Sequence, residues 1–221
     1  IINSGFERGS VRVNLDQKVN KSVEIKTSLT ASKSESSRGN THSTELESTV
    51  QSALAAAPIL PTTQPDGSFT RLNQGYAPAD AISSPIAFAQ DAKIDQVITR
   101  ILGNTSVVYS FLDDFKLTAR LGTDYQSITD EQYFDRTINA GGSGGTAFNS
   151  NLEISNYLTD VLLDYNKYFG DHSFSGLLGF SWQTETSNGF TAGSSGFVSD
   201  DLQDNNLSAG ANIAVPSSLN D

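Results

Sequence analysis

The stretch Val11-Arg12-Val13-Asn14-Leu15-Asp16-Gln17-Lys18-Val19 alternates between apolar and polar side chains. Successive side chains of a strand point to opposite faces, so Val11, Val13, Leu15 and Val19 share one face and Arg12, Asn14, Asp16 and Lys18 the other. After Asn20-Lys21-Ser22 the pattern resumes, with Val23, Ile25, Thr27, Leu29 and Ala31 set against Glu24, Lys26, Ser28 and Thr30. A short polar connection between two amphipathic strands predicts a β-hairpin.

Working outward, the same design appears twice more. A second hairpin is expected from Arg100 to Leu112, a turn at Asp113-Asp114, and a return from Phe115 to Tyr125. Its apolar face holds Ile101, Val107, Tyr109, Phe111, Phe115, Leu117, Ala119, Leu121 and Tyr125, and its polar face Arg100, Asn104, Lys116, Arg120 and Asp124. A third is expected from Asn156 to Phe169, turning at Gly170-Asp171 and returning from His172 to about Glu185, with Phe174, Leu178, Phe180 and Trp182 on one face. Its outgoing strand leaves the register open, because Leu158 and Leu162 oppose Val161, Leu163 and Tyr165.

The hairpins are separated by long stretches, 35–95 and 126–155, and followed by a polar stretch, 187–221. Compact soluble domains seldom carry loops beyond about 12–15 residues, whereas outer-membrane barrels join short periplasmic turns to long extracellular loops. In the first loop, Thr44-Glu45-Leu46-Glu47 fits a capping box and predicts a helix over Ser43–Ala57, ended by Pro58. Pro58-Ile59-Leu60-Pro61 is then expected to run extended, and Pro65-Asp66-Gly67-Ser68 to turn.

Composition sets limits on function. With 25 acidic and 14 basic residues the net charge is -11, and no Lys/Arg cluster offers a nucleic-acid surface. Without cysteine there is neither a disulfide framework nor a thiolate ligand or nucleophile. No apolar run approaches the ~18 residues of a spanning helix, but barrel strands conceal their membrane face in alternation, so a mean hydropathy of -0.29 leaves a barrel open. The chain starts Ile1-Ile2-Asn3-Ser4-Gly5, without Met or signal peptide, which is read as an internal piece cut at both ends.

Motifs of chemistry are weak. His42 and His172 have no ligand at metal spacing. Gly141-Gly142-Ser143-Gly144-Gly145 lacks the Lys-Ser/Thr of a phosphate loop and reads as flexible loop. Asp200 to Asn206 lacks the glycine and glutamate of a calcium loop and reads as solvated. No catalytic residue, cofactor or metal is expected, and the chain is not read as an enzyme.

Several segments, taken in order, resemble the barrel of SusC/RagA-type TonB-linked outer-membrane proteins: Gly5-Phe6-Glu7-Arg8, Arg12 through Lys21, Ser52 through Pro61, Pro65-Asp66-Gly67-Ser68, Arg100 through Asn104, Gly170 through Phe174, and Leu178 through Gln183. The resemblance implies an all-β fold, an antiparallel transmembrane β-barrel segment of about six strands in three hairpins with long extracellular loops and one short loop helix. It makes 1–221 one part of a barrel of about 22 strands, the plug domain and remaining strands lying elsewhere. It implies a Gram-negative outer membrane, of Bacteroidota type, with lipid around the wall and a SusD-like surface lipoprotein as lid. TonB, acting through an N-terminal part, would drive import of glycans or peptides. Arg12, Asp16, Lys18, Glu24, Lys26, Arg100, Lys116, Arg120 and Asp124 would then face the lumen or plug, and Tyr109, Tyr125 and Trp182 an interfacial aromatic girdle. The alternative is a soluble or cell-surface β-sandwich, as a binding module or adhesin.

Overall fold

The computed structural model describes residues 3–38, 49–56, 58–59, 61–70, 84–138 and 141–221. Six long strands follow one another as antiparallel neighbours: β1 (Gly5–Lys18), β2 (Val23–Ser37), β3 (Ala92–Phe111), β4 (Phe115–Phe134), β5 (Thr146–Phe169) and β6 (His172–Phe197). Two short strands, β7 (Gly210–Ile213) and β8 (Ser217–Asn220), fold back onto β6, giving one eight-stranded sheet. A β-sandwich needs a second sheet packed on the first. The described residues form none, so that alternative falls.

The three turns lie at one end of the sheet, and each has a local cause. Asn20 Oδ1 accepts from the backbone N–H of Ser22 and Val23 at 2.8 and 2.9 Å, closing the first turn through the side chain. Val19, expected on the apolar face of β1, lies in this turn instead, its N–H bonded to Val23 O. The second turn spans Leu112 to Asp114, with Leu112 and Asp113 both at φ 51. The third has Gly170 at φ 59, where a two-residue hairpin loop requires a left-handed residue.

The strands are longer than the alternation suggested, which corrects the expected loop bounds. β4 continues nine residues past Tyr125 to Phe134, β5 starts at Thr146, and β6 runs to Phe197. The stretch 126–155 is therefore mostly strand, and 187–221 contains the end of β6 together with β7 and β8. Within 35–95, the helix expected over Ser43–Ala57 is found only as α1 (Thr49–Ala55), since residues 39–48 lie outside the described ones, as does His42. Pro58 and Ile59 form a turn where extended chain was expected. The Pro65–Ser68 turn is present: Gly67 has φ 87, Ser68 N–H bonds Asp66 Oδ1 at 2.9 Å, and Thr63 pairs with Phe69.

A second helix, α2 (Pro85–Asp91), was missed. Ser84 caps it, its Oγ accepting from Ala87 N–H, and Pro85 occupies the first turn, where its missing N–H costs nothing. α2 buries Ala87 and Phe88 with Ile138 against Phe69, Ala92 and Phe134. A second small core joins Tyr133, Ala147 and Phe197, with Leu207 packed on it. Both cores sit at the end of the sheet away from the turns.

Candidate functional site

Register fixes which side chains share a face. Val23, Tyr109, Leu117, Leu163 and Leu178 align across five strands, and the next row is Ile25, Val107, Ala119, Val161 and Phe180. Above them Leu15, Thr27, Thr105, Leu121, Thr159 and Trp182 align, then Val13, Leu29, Gly103, Thr123, Tyr157 and Thr184. This settles β5: Val161, Leu163 and Tyr165 belong to the apolar face, Leu158 and Leu162 to the other.

This apolar face is bare. Val13 is 58%, Leu121 59% and Phe180 63% exposed, so no dry interior encloses them. The band extends along β4 from Phe115 to Tyr125, ten residue steps. At about 3.4 Å per residue and a tilt of about 40°, its height is about 26 Å, close to the ~25 Å apolar belt of outer-membrane barrels. Its lower border is a chain of rings, Tyr109, Phe111, Phe115, Tyr165 and Phe174, with successive centroids 4.6–5.8 Å apart. Tyr125 stands at the upper border, whereas Trp182 shares a row with Leu121 inside the band, so Trp182 is not a border residue by register. Beyond Tyr125 the same face turns polar, with Lys33, Glu153, Asp95 and Glu131.

The opposite face carries the charged set. Arg12, Asp16, Lys18, Glu24, Lys26, Arg100, Lys116, Arg120 and Asp124 all project there by register. They do not form one cluster. Arg100 binds Asp124 through two contacts, Nε to Oδ1 at 2.8 Å and a second guanidinium nitrogen to Oδ2 at 2.5 Å. Lys26 Nζ lies 3.2 Å from Glu24. Arg12 bonds only the Asn14 side chain, at 3.3 Å, and Arg120 has no ion-pair partner among the described residues.

The most enclosed polar groups lie elsewhere, at the loop end, where sequence reading had placed solvated or flexible chain. Asp204, 2% exposed, takes two bonds from Lys93 Nζ at 2.9 and 3.1 Å, and its backbone carbonyl accepts from Asn149 Nδ2 at 3.1 Å. Asp95 and Glu131 flank Lys93 at 3.9 and 3.8 Å. Burial alone would lower the Lys93 pKa, but its bond to Asp204 and the surrounding carboxylates outweigh this and raise it. Asp200 binds Arg136 at 2.5 Å and accepts from the buried Tyr133 hydroxyl, and Arg136 also donates to Phe197 O at 3.1 Å. Burial, then the neighbouring Asp200 carboxylate, pushes the Tyr133 phenol up.

The glycine run is packed rather than loose: Gly141, Gly144 and Gly145 are buried. Gly145 has φ 79, and a Cβ there would strike the Tyr133 hydroxyl. The run thus lets the chain pass beside Tyr133 with no room for a side chain. No local motif marks Lys93, Tyr133, Arg136, Asp200 or Asp204. The one available signal was Ser84-Pro85 ahead of Ile86, Phe88 and Ala89, a helix start that brings the chain to Lys93.

A bare apolar belt of membrane height, a polar reverse face and an ordered loop end together frame the comparison with known proteins. Over 223 aligned residues, 99% of this chain, it is 29% identical to TonB-dependent receptor P3 of Formosa agariphila. The chain resembles a stretch of TonB-dependent receptor barrel wall. It spans about a fifth of that receptor's length, 22%. Its fold matches the RagAB peptide importer in the closed-closed state with TM-score 0.78 at 15% identity, covering 99% of this chain and 25% of that one. The open-open state gives TM-score 0.78 at 16% identity, covering 24% of that chain. At such identity these two matches speak for fold, and they agree with the SusC/RagA-type resemblance carried by the sequence motifs. No family model matches.

Proposed function

We propose that this chain is wall in a TonB-dependent importer of a Gram-negative outer membrane. Its apolar face meets lipid, and the face bearing the nine charged residues meets the lumen or a plug. The observation that carries the reading is the exposed apolar band, about 26 Å high and continuous across the long strands, since in water so large a bare patch would drive aggregation. In lipid every backbone donor and acceptor also needs a partner, which long antiparallel strands supply when a barrel closes.

The relative's name supports energy supplied through TonB by other parts of the same receptor, and the RagAB likeness supports import of peptides. The SusC/RagA-type sequence resemblance extends the cargo to glycans or peptides and adds a SusD-like surface lipoprotein over the loop end. The wall contributes no chemistry of its own. It separates lipid from lumen and anchors the ordered loop end.

Spin labels test the assignment of faces. The chain contains no cysteine. In the full receptor, with any cysteine outside this stretch replaced, single cysteines at Leu121 and Arg120 report two adjacent positions on opposite faces. In bilayers, label 121 is expected to collide with oxygen dissolved in lipid and label 120 with a water-soluble relaxant. Equal or inverted accessibility would falsify the assignment.

A further inference from the structure

The apolar face is not smooth. A groove of about 620 Å³ crosses it from β2 to β6, between two adjacent rows of outward side chains. One wall is the row of Thr27, Thr105, Leu121, Thr159 and Trp182, and the other the row of Leu29, Gly103, Thr123 and Tyr157. The residues between the two rows, Ser28, Asn104, Gly122 and Leu158, supply the floor. The neighbouring rows of the polar face, such as Lys26, Ser106, Arg120 and Asp160, contribute nothing to the lining, so the groove opens on the apolar side.

Two properties decide what can occupy it. The lining carries no charged side chain, and the Thr27 and Thr105 hydroxyls lie 3.3 Å apart and bond each other, so neither asks a partner of the occupant. Leu29, Leu121, Tyr157 and Trp182 stand at the rim, 46–59% exposed. On β4 the walls, Leu121 and Thr123, fall between Phe115 and Tyr125, the two ends of the belt, so the groove is continuous with the lipid face. Its length points the same way. Ladder hydrogen bonds run perpendicular to antiparallel strands, and five strands at about 4.8 Å spacing give a groove roughly 19 Å long. An acyl chain of one leaflet spans half of a hydrocarbon core of about 30 Å, roughly 15 Å. With strands tilted about 40°, the groove lies about 50° from the membrane normal, so a chain resting along it leaves the direction of its neighbours. Such a chain touches two walls and a floor where a chain on the flat belt touches one surface, and dispersion attraction grows with the number of contacts.

We propose that the groove seats one acyl chain of a membrane phospholipid, packed between Leu29 and Tyr157 on one wall and Leu121 and Trp182 on the other. The inference rests on the reading that this face meets lipid. It also gives Trp182 a role inside the belt: as the one lining residue from β6, it closes an end of the groove.

The experiment titrates a phosphatidylcholine with a dibrominated acyl chain, a short-range quencher of tryptophan fluorescence, into the full receptor in detergent micelles. This stretch has one tryptophan, and its signal is the difference between each receptor and the same receptor carrying Trp182→Phe. A seated chain gives quenching that saturates near one lipid per receptor and is reversed by the unbrominated lipid. Thr123→Leu/Thr159→Leu fills the groove and is expected to reduce the saturable part at least fivefold. Thr123→Val/Thr159→Val keeps the shape without the hydroxyls and is expected to leave it in place. Each variant is checked for the barrel's heat-modifiable migration. Quenching that only rises in proportion to added lipid, or that is the same in the Leu variant, overturns the proposal. So does the absence of quenching, which means that protein covers the groove. Because labels at 120 and 121 report the faces separately, a correct face without saturable quenching rejects the seated chain alone, and an inverted face rejects the reading beneath it.

Discussion

The lower and upper halves of β3 to β6 are continuous strands with the same pairing, yet they are stabilised by different things. Below Tyr125, no described position of the apolar belt is buried, and its large side chains are exposed or half-exposed on one face. Above it, α2 with the 63–69 turn packs on one side and the 198–209 segment on the other, burying Phe88, Ile138, Tyr133, Ala147 and Phe197. Edges differ too: β7 and β8 pair with the upper part of β6, residues 188–197, while among the described residues its lower part pairs only with β5. An open edge invites another strand. The lower half is thus built to be completed by its surroundings, lipid on its face and strand at its edge, and the upper half carries its own interior.

The largest effect expected from this contrast follows Arg substitution on the apolar face. Leu121→Arg, near the middle of the belt, is expected to cost about 2–4 kcal/mol when the full receptor is refolded into bilayers and unfolded with denaturant. Thr129→Arg lies on the same face of the same strand, four rows higher, and is expected to cost well under about 1 kcal/mol. Equal costs would erase the boundary at Tyr125.

That boundary also explains what the sequence made legible. In the belt, one face meets hydrocarbon and the other a polar compartment, so Val11 to Lys18 and Phe115 to Tyr125 alternate and their hairpins are readable. Above the belt both faces meet loops or water, and Gln126-Ser127-Ile128-Thr129-Asp130-Glu131-Gln132 has no apolar side to reveal a strand, although it pairs without a break on both sides. The charged residues could be assigned to a face for the same reason, by parity alone. The Lys93–Asp204 and Arg136–Asp200 contacts could not, because each joins residues 64 or more positions apart through a fold that local pattern does not encode.

A smaller effect is expected from the glycine run. Gly145→Ala forces a Cβ into both a left-handed conformation and the Tyr133 hydroxyl, for a cost of about 2 kcal/mol. Because the damage is confined to the upper half, the barrel should still migrate as folded while limited proteolysis cuts the 198–209 segment faster. Loss of the folded barrel itself would show that the two halves are one cooperative unit.

Asp204→Asn sharpens the same point with charge. Lys93 keeps Asp95 and Glu131 nearby and is partly exposed, so the loss is about 1 kcal/mol rather than that of a fully stranded buried charge. Hydrogen exchange should rise in 200–209 and stay unchanged in 115–125. The raised Lys93 pKa gives the sign of the pH dependence: the contribution of this pair is fully present below the ordinary lysine value and fades as pH climbs through the higher folded one. Exchange in 200–209 should accordingly stay flat from pH 6 to 9 once corrected for intrinsic rates.

The smallest effect is expected at Arg100 and Asp124, the ion pair on the polar face of the belt. Both side chains are substantially exposed, 50% and 31%, and a pair in contact with water contributes between about 0 and 1 kcal/mol despite two good contacts. Arg100→Gln should therefore shift stability by about 0.5 kcal/mol, and raising salt should diminish even that. A loss of several kcal/mol, insensitive to salt, would mean that this stretch of the polar face is dry and tightly covered, as by a plug packed against it. The measurement thus separates a wet lumen from a filled one at a single position, using the belt's apolar face as the internal reference.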